Sequence, residues 1–73
     1  MAIVDVKTEI TGNVWKIVTK VGDEIDEDEP IMILESMKME IPVAAPEPGK
    51  VTEILVSEGD TVTEGSVVAR IEA

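Results

Sequence analysis

The sequence predicts an all-β fold, and two observations support this prediction. Valine, isoleucine and threonine account for 26 of the 73 residues, whereas leucine occurs only twice. Side chains that branch at the β-carbon fit a pleated strand better than a helix. The apolar residues also recur in short stretches between turn-forming residues and not at helical spacing over long windows. We therefore expect strands joined by turns, with no helix.

Eight strands are predicted in chain order, six of them of ordinary length. The six are Ile3–Lys7, Asn13–Thr19, Pro30–Ser36, Met39–Ala44, Lys50–Ser57 and Val67–Glu72. The two shorter strands surround Ile25 and Val62. The turn-forming residues are Gly12, Gly22, Gly49, Gly59 and Gly65, together with the segment Pro46-Glu47-Pro48-Gly49. A chain of this length accommodates one domain, which we expect to span residues 1–73.

An internal repeat relates the two halves of the chain. A shift of 37 positions aligns Gly12–Glu35 with Gly49–Glu72 without a gap, and seven aligned positions are identical. The identical pairs are Gly12/Gly49, Val14/Val51, Ile17/Ile54, Gly22/Gly59, Asp23/Asp60, Glu27/Glu64 and Glu35/Glu72. A repeat of this size cannot bury its own hydrophobic face. We therefore expect the two copies to pack as a pseudo-twofold sandwich or flattened barrel, which also limits exposed strand edges.

The repeat also predicts the core. The core residues are Val14, Ile17, Ile25, Ile31 and Leu34 in the first copy and Val51, Ile54, Val62, Val68 and Ile71 in the second. The spacings Ile31/Leu34 and Val68/Ile71 depart from strict alternation, so we expect a β-bulge there. Trp15, the sole aromatic residue, is interpreted as partial cover of the core. Arg70 aligns with Ile33, a mismatch that the sequence does not explain.

The composition disfavours several classes of function. The chain has no cysteine and no histidine, which removes disulfides, thiolate chemistry, the usual zinc ligands and the commonest general base. Its net charge of −10 disfavours nucleic acid and anionic membranes as partners. No apolar stretch reaches the length of a membrane span, and Met1 leads directly into alternating sequence without a signal peptide. We expect a cytosolic protein without a catalytic site or a metal site of its own.

Lys38 occupies a position that the repeat singles out. The strands on either side of it predict a two-residue turn, Met37-Lys38. Neither residue is the Asn or Gly that such turns favour, and departures from turn chemistry tend to occur at functional sites. Under the shift, Lys38 corresponds to Met1 and to a position beyond Ala73, so we expect Lys38 and the termini at opposite ends. The alternative is an ordinary solvated lysine between two methionines that pack inward.

The residues around Lys38 resemble a known family. Met37-Lys38-Met39 is similar to the Met-Lys-Met motif of biotin carriers, and 35 residues follow Lys38, a spacing similar to that in C-terminal biotinyl domains. Further similar segments are Val21-Gly22-Asp23 followed by Ile25, the stretch Ile31–Glu35, and Ala45-Pro46-Glu47-Pro48-Gly49-Lys50-Val51. Over nearly its whole length the chain resembles the biotinyl/lipoyl attachment domain family.

This resemblance implies a fold, a modification and a set of partners. The fold is a flattened eight-stranded barrel of two four-stranded sheets, with the attachment lysine on a hairpin tip. A biotin protein ligase would join the Lys38 amine to biotin through biotinyl-adenylate, with Glu35 and Ser36 as residues that the ligase recognises. Met37 and Met39 would offer soft, adaptable contacts to partners. Those partners are biotin carboxylase and carboxyltransferase components. The resemblance implies a monomeric carrier that moves carboxylate between them and is not itself an enzyme.

Two features depart from the family. Asp28 stands where the family often carries glycine, and where the second copy keeps Gly65. Aspartate tolerates left-handed backbone better than most residues, so we expect a small local cost and no change of fold. The gapless repeat also leaves no space for the thumb inserted in some bacterial acetyl-CoA carboxylase carriers, which disfavours that enzyme as the parent.

Two other functions remain open. Lipoyl domains resemble the chain throughout but typically carry Asp-Lys-Ala where this chain has Met37-Lys38-Met39. The first alternative is therefore a lipoyl carrier of a 2-oxoacid dehydrogenase-type system, with lipoate on Lys38, or attachment of either biotin or lipoate to the same lysine. The other is an unmodified acidic interaction module, because Asp23–Glu29 holds six acids in seven residues. This run does not match a calcium loop, since Ile25 and Asp28 occupy the places of a ligand and of the loop glycine.

Overall fold

The computed structural model describes residues 2–73, so Met1 and the expectation placed on it lie outside the described residues. The strands are β1 (Ile3–Lys7), β2 (Gly12–Ile17), β3 (Glu24–Ile25), β4 (Pro30–Ser36), β5 (Met39–Ala44), β6 (Gly49–Ile54), β7 (Thr61–Val62) and β8 (Val67–Glu72). Residues 2–73 contain no helix, and hence none long and apolar enough to cross a membrane. The all-β prediction is confirmed, although β2 and β6 end earlier than the predicted Thr19 and Ser57.

A Gly-Asp turn after each of these strands accounts for the early ends. In the first turn, the Asp23 N–H donates to the Lys20 carbonyl, and the Lys20 N–H donates to the Asp23 carboxylate, both at 3.0 Å. Gly22 has a φ of +100°, a conformation that residues with a β-carbon adopt poorly. The segment Ser57–Asp60 repeats the same bonds after β6. The Gly-Asp identity of the two copies is therefore explained by turn formation.

The strands form two antiparallel four-stranded sheets. Sheet A has the order β1-β8-β6-β3, and sheet B has the order β5-β4-β2-β7. Adding 37 to the residue numbers takes β1, β2, β3 and β4 onto β5, β6, β7 and β8, which exchanges the places of the two sheets. The predicted pseudo-twofold arrangement is confirmed. The molecule measures 36 × 19 × 18 Å along its principal axes.

The hydrophobic core lies between the two sheets. Eight of the ten predicted core residues are buried, and Ile17 and Ile54 are half-buried against them. The prediction missed six further buried residues, which are Val6, Thr8, Met32, Val43, Ala45 and Ala69. These six form the pairs Val6/Val43, Thr8/Ala45 and Met32/Ala69 under the same shift of 37. The repeat therefore extends beyond its most similar segment and includes β1 and β5.

Bulges explain how two consecutive residues of one strand can both enter the core. The register between β4 and β5 shifts between Pro30 and Met32, which leaves Ile31 without a partner. Ile31 and Met32 are consequently both buried. The equivalent shift between β1 and β8 leaves Val68 unpaired, and Val68 and Ala69 are both buried. The predicted bulges are confirmed.

Asp28 adopts the conformation expected of a residue in a glycine's place. Its φ is 67°, and that of the equivalent Gly65 is 87°. The turn closes by a hydrogen bond from the Glu29 N–H to the Asp26 carbonyl at 3.1 Å, and the Asp28 N–H donates to the Ala45 carbonyl at 2.9 Å. The substitution leaves the turn intact, as predicted.

Candidate modification site on the β4–β5 hairpin

The hairpin that joins β4 to β5 ends in a two-residue turn. Ser36 pairs with Met39 in the last rung, which leaves Met37 and Lys38 as the turn residues. Their φ angles are 53° and 64°, and two successive positive values mark a type I′ turn, whose twist matches that of the flanking strands. The predicted turn is confirmed. Left-handed backbone disfavours both residues by roughly 1–2 kcal/mol each, so their presence is not explained by turn stability.

The side chains of the tip face solvent. Met37 is 91% exposed, Met39 is 62% exposed, and Lys38 is exposed between them. Both ion pairs found among residues 2–73 involve Arg70, so no carboxylate of this region holds the Lys38 ammonium group. The expectation that the methionines pack inward is wrong, whereas Lys38 is solvated as that alternative expects. The tip presents one amine between two thioethers, all accessible to a partner.

Gly12 supports the base of the tip from the adjacent strand β2. A β-carbon at this position would lie 3.3 Å from the Ser36 β-carbon, which is a tight contact, and 2.7 Å from the Glu35 carbonyl oxygen, which is closer than packed atoms allow. Only glycine lets β2 approach β4 this closely three residues before Lys38. Sequence reasoning treated Gly12 only as a turn residue. Its identity with Gly49, which lies equally close to Glu72, was the signal that indicated a packing role.

Glu35 and Ser36 lie on the strand leading into the turn. Glu35 is exposed and pairs directly with Glu40 across the hairpin, and Ser36 is half-buried. Two like charges in a cross-strand pair repel each other. The carboxylates give the hairpin a negative surface immediately below Lys38. The structure thus brings all five predicted site residues, Glu35 to Met39, together at one end of sheet B.

Lys38 lies at the opposite end of the molecule from the chain ends. The Ala73 N–H donates to the Ala2 carbonyl at 2.9 Å, which places the ends of the described chain side by side. Strand β6 begins beside Glu72, next to these ends. The loop that follows β6 reaches β2 near the tip, where the Gly59 N–H donates to the Val14 carbonyl at 2.7 Å. The long axis of the domain therefore runs from the termini to Lys38, as predicted for the described ends.

Two other features of the sequence, the acidic run Asp23–Glu29 and Trp15, do not belong to the candidate site. The acidic run Asp23–Glu29 folds as β3 and two turns around the buried Ile25. Within residues 2–73, no three acidic side chains converge as metal ligands would. Trp15 lies where the register between β2 and β4 shifts, and it is 49% exposed. Trp15 is not among the hydrophobic residues that pack against the core, so the interpretation of Trp15 as partial cover of the core is not supported.

A pseudo-twofold β-sandwich with a lysine on a protruding hairpin has the architecture of biotinyl/lipoyl attachment domains. The profile of the family described as "Biotin-requiring enzyme" matches residues 1–71. The chain belongs to this family.

Relatives of similar length strengthen this assignment. The chain is 46% identical over 66 residues to a biotin/lipoyl attachment protein of Bacillus subtilis, covering 90% of each chain. It is 43% identical over 67 residues to a biotinylated protein TB7.3 homolog of Mycobacterium leprae, covering 92% of this chain and 94% of the relative. A solved structure of Kluyveromyces lactis urea carboxylase matches 99% of this chain with a TM-score of 0.93 and 39% identity. The chain corresponds to 6% of that longer protein.

Proposed function

We propose that the protein is a cytosolic biotin carrier, modified on Lys38 by a biotin protein ligase. It moves carboxylate between the biotin carboxylase and carboxyltransferase components of a biotin-dependent carboxylase. The observation that carries this proposal is the exposed Lys38 amine on a two-residue turn between exposed Met37 and Met39. The family assignment and the names of the relatives support biotin as the attached group.

Attachment requires only that the Lys38 amine reach an activated carboxyl group. Nζ forms an amide bond with the carboxyl carbon of adenylated biotin, AMP leaves, and the amine gives up a proton. A lysine amine is protonated at neutral pH, and no carboxylate among residues 2–73 pairs with Lys38. The ligase must therefore supply the base. The chain contributes an exposed nucleophile in a fixed direction.

The shape of the domain suits a carrier that moves between active sites. Biotin, when bound, supplies the ring that takes up and releases carboxylate. The protein supplies reach, because Lys38 and the ends of the described chain lie at opposite ends of a body 36 Å long. Glu35, Ser36 and the two methionines form the surface that each partner meets first.

Intact mass spectrometry after expression with a biotin protein ligase, biotin and lipoate tests the proposal. One biotinyl group per chain is expected on the native sequence, and none on Lys38→Arg, because a guanidinium group is not a usable nucleophile. Lys50→Arg is the matched control, since this exposed lysine pairs with Glu72 at the terminal end of sheet A. It should be modified like the native protein. A biotinyl group that persists on Lys38→Arg would show that the site is wrong.

Lipoylation of Lys38 is the second candidate, because the name of the Bacillus relative includes both cofactors. The same expression experiment separates the two, since the adducts differ in mass. A lipoyl group alone would exclude the biotin proposal while leaving Lys38 as the attachment site. Absence of any adduct under these conditions would favour an unmodified acidic interaction module.

A further inference from the structure

The methionines among the described residues fall into two structural groups. Met37 and Met39 flank Lys38 and are 91% and 62% exposed, whereas Met32 is 0% exposed in the core. The left-handed φ of Met37, 53°, belongs to the tip of the hairpin, where no further strand covers its side chain. Two of the three methionine residues in residues 2–73 are therefore open to solvent, and both are neighbours of the proposed attachment lysine.

An exposed thioether reacts with a hydroperoxide. The sulfur attacks the terminal peroxide oxygen, the O–O bond breaks, and the products are a sulfoxide and water when the oxidant is hydrogen peroxide. Sulfur loses two electrons and the peroxide gains them. Methionine sulfoxide is polar and chiral where the thioether was apolar and flexible, and methionine sulfoxide reductases reverse the change with electrons from a dithiol.

The position of these sulfurs gives the oxidation a consequence for Lys38. A ligase that takes up the Lys38 amine must also contact the residues on either side of it. A sulfoxide oxygen buried in that contact without a hydrogen-bond donor loses its hydration without compensation. Oxidation at either residue would therefore oppose the encounter that modifies Lys38, and neither side chain belongs to the buried core that the oxidation would have to disturb.

We propose that Met37 and Met39 form a hydroperoxide-sensitive modification site whose oxidation slows biotin transfer to Lys38. This inference rests on the proposed function of Lys38. The ligand class is a small hydroperoxide, and the modification is reversible sulfoxide formation.

Peptide mapping after graded hydrogen peroxide treatment of the folded, unbiotinylated protein tests the site itself. Oxidation is expected first at Met37, then at Met39, and at Met32 only when the protein is unfolded. Oxidation of Met32 at the same rate as Met37 in the folded protein would overturn the structural assignment.

To measure the consequence, the carrier protein is treated with peroxide in the absence of the ligase, and the peroxide is then removed. The quantity compared is the ligase kcat/KM for the treated carrier divided by that for the untreated carrier. We expect a fall of about tenfold, the order expected when one polar group is buried without a partner, and recovery after treatment with dithiothreitol and both methionine sulfoxide reductases, one for each sulfoxide epimer. The double variant Met37→Leu/Met39→Leu should give a ratio near one whatever its own starting rate. The variant Met32→Leu, a volume-conserving core change, should keep the sensitivity of the native protein.

An unchanged rate for the oxidised native protein, or no recovery after reduction, would overturn the inference. So would equal sensitivity of the double leucine variant. These results differ from a failure of the proposed function, in which the native protein would not be biotinylated even before peroxide.

Discussion

The two ends of the molecule are equivalent in fold and different in chain connection. At one end β4 and β5 are joined by Met37 and Lys38; at the other, their equivalents β8 and β1 pair but are not joined to each other. Both ends have the same core layers and the same close glycine contact. The fold therefore does not require the residues of the Met37-Lys38 turn, which explains why they can depart from turn preferences in favour of a function.

The outer faces of the two sheets differ as well. On sheet A, Arg70 Nε donates to Asp5 Oδ1 at 2.9 Å, and Arg70 Nη1 donates to Glu53 Oε2 at 3.4 Å. The equivalent row on sheet B is Pro42, Ile33 and Lys16. A polar network and a largely apolar row thus occupy the same place in the fold. The two halves are consequently equivalent in the core and the turns but not on their outer faces. Matched variants at equivalent core and glycine positions test this equivalence.

The largest effect is expected from the pair of core variants Leu34→Ala and Ile71→Ala. The two residues occupy equivalent positions and are both fully buried, so each change removes packed methyl groups and leaves a cavity. Each should lower the free energy of unfolding by about 2–5 kcal/mol, which urea denaturation would measure. A loss at one position more than twice that at the other would show that the two halves do not contribute equally to the core.

The variants Gly12→Ala and Gly49→Ala should have the next largest effect. Each added β-carbon would lie 2.7 Å from a carbonyl oxygen, that of Glu35 or of Glu72. The strain should lower stability by about 1–3 kcal/mol in both cases. Only Gly12→Ala displaces the strand that leads to Lys38, so only this variant should also slow biotinylation by a ligase. Equal slowing by Gly49→Ala would mean that global stability controls modification, and not the local position of the hairpin.

Much of the fold could be predicted because each strand and turn of one copy has an equivalent in the other copy, so two segments of sequence indicate the same structure. Seven identities and the apolar positions placed the strands, and the broken alternation at Ile31 and Val68 indicated the bulges. The prediction missed Val6 and Val43 because β1 and β5 resemble each other only weakly in sequence. The equivalence of β1 and β5 depends on the pairing of β1 with β8, which is distant in sequence, and a local sequence pattern does not indicate such pairing.

The site was predicted from its turn and its motif, and its supporting contacts were not. Lys38 could be placed because two paired strands joined by only two residues put those residues at the tip of the hairpin. The closeness of Gly12 to Glu35 could not be seen, since it depends on how near β2 packs to β4. The same limit applies to Arg70, whose partners Asp5 and Glu53 lie on strands far from it in sequence.

The smallest effect is expected from Arg70→Ile, which gives sheet A the residue that sheet B has at Ile33. Hydrogen bonding to Asp5 raises the pKa of Arg70 above its usual value. Neutral pH lies far below the pKa of arginine in the unfolded chain, so the stabilisation from the charged Arg70 is fully present there, and titration of Arg70 removes it only as pH rises through the raised pKa of the folded state. Salt is therefore the useful variable near neutral pH, because exposed ion pairs are screened.

Thermal unfolding should show a slightly lower midpoint for Arg70→Ile than for the native protein at low salt, and no difference at high salt. Arg70→Lys is the matched control, since it keeps the charge without the planar fork that donates to two carboxylates. Its midpoint should lie between the other two at low salt. A deficit for Arg70→Ile that persists at high salt would mean that the arginine acts through packing of its stem. In that case the two outer faces would differ in packing as well as in charge.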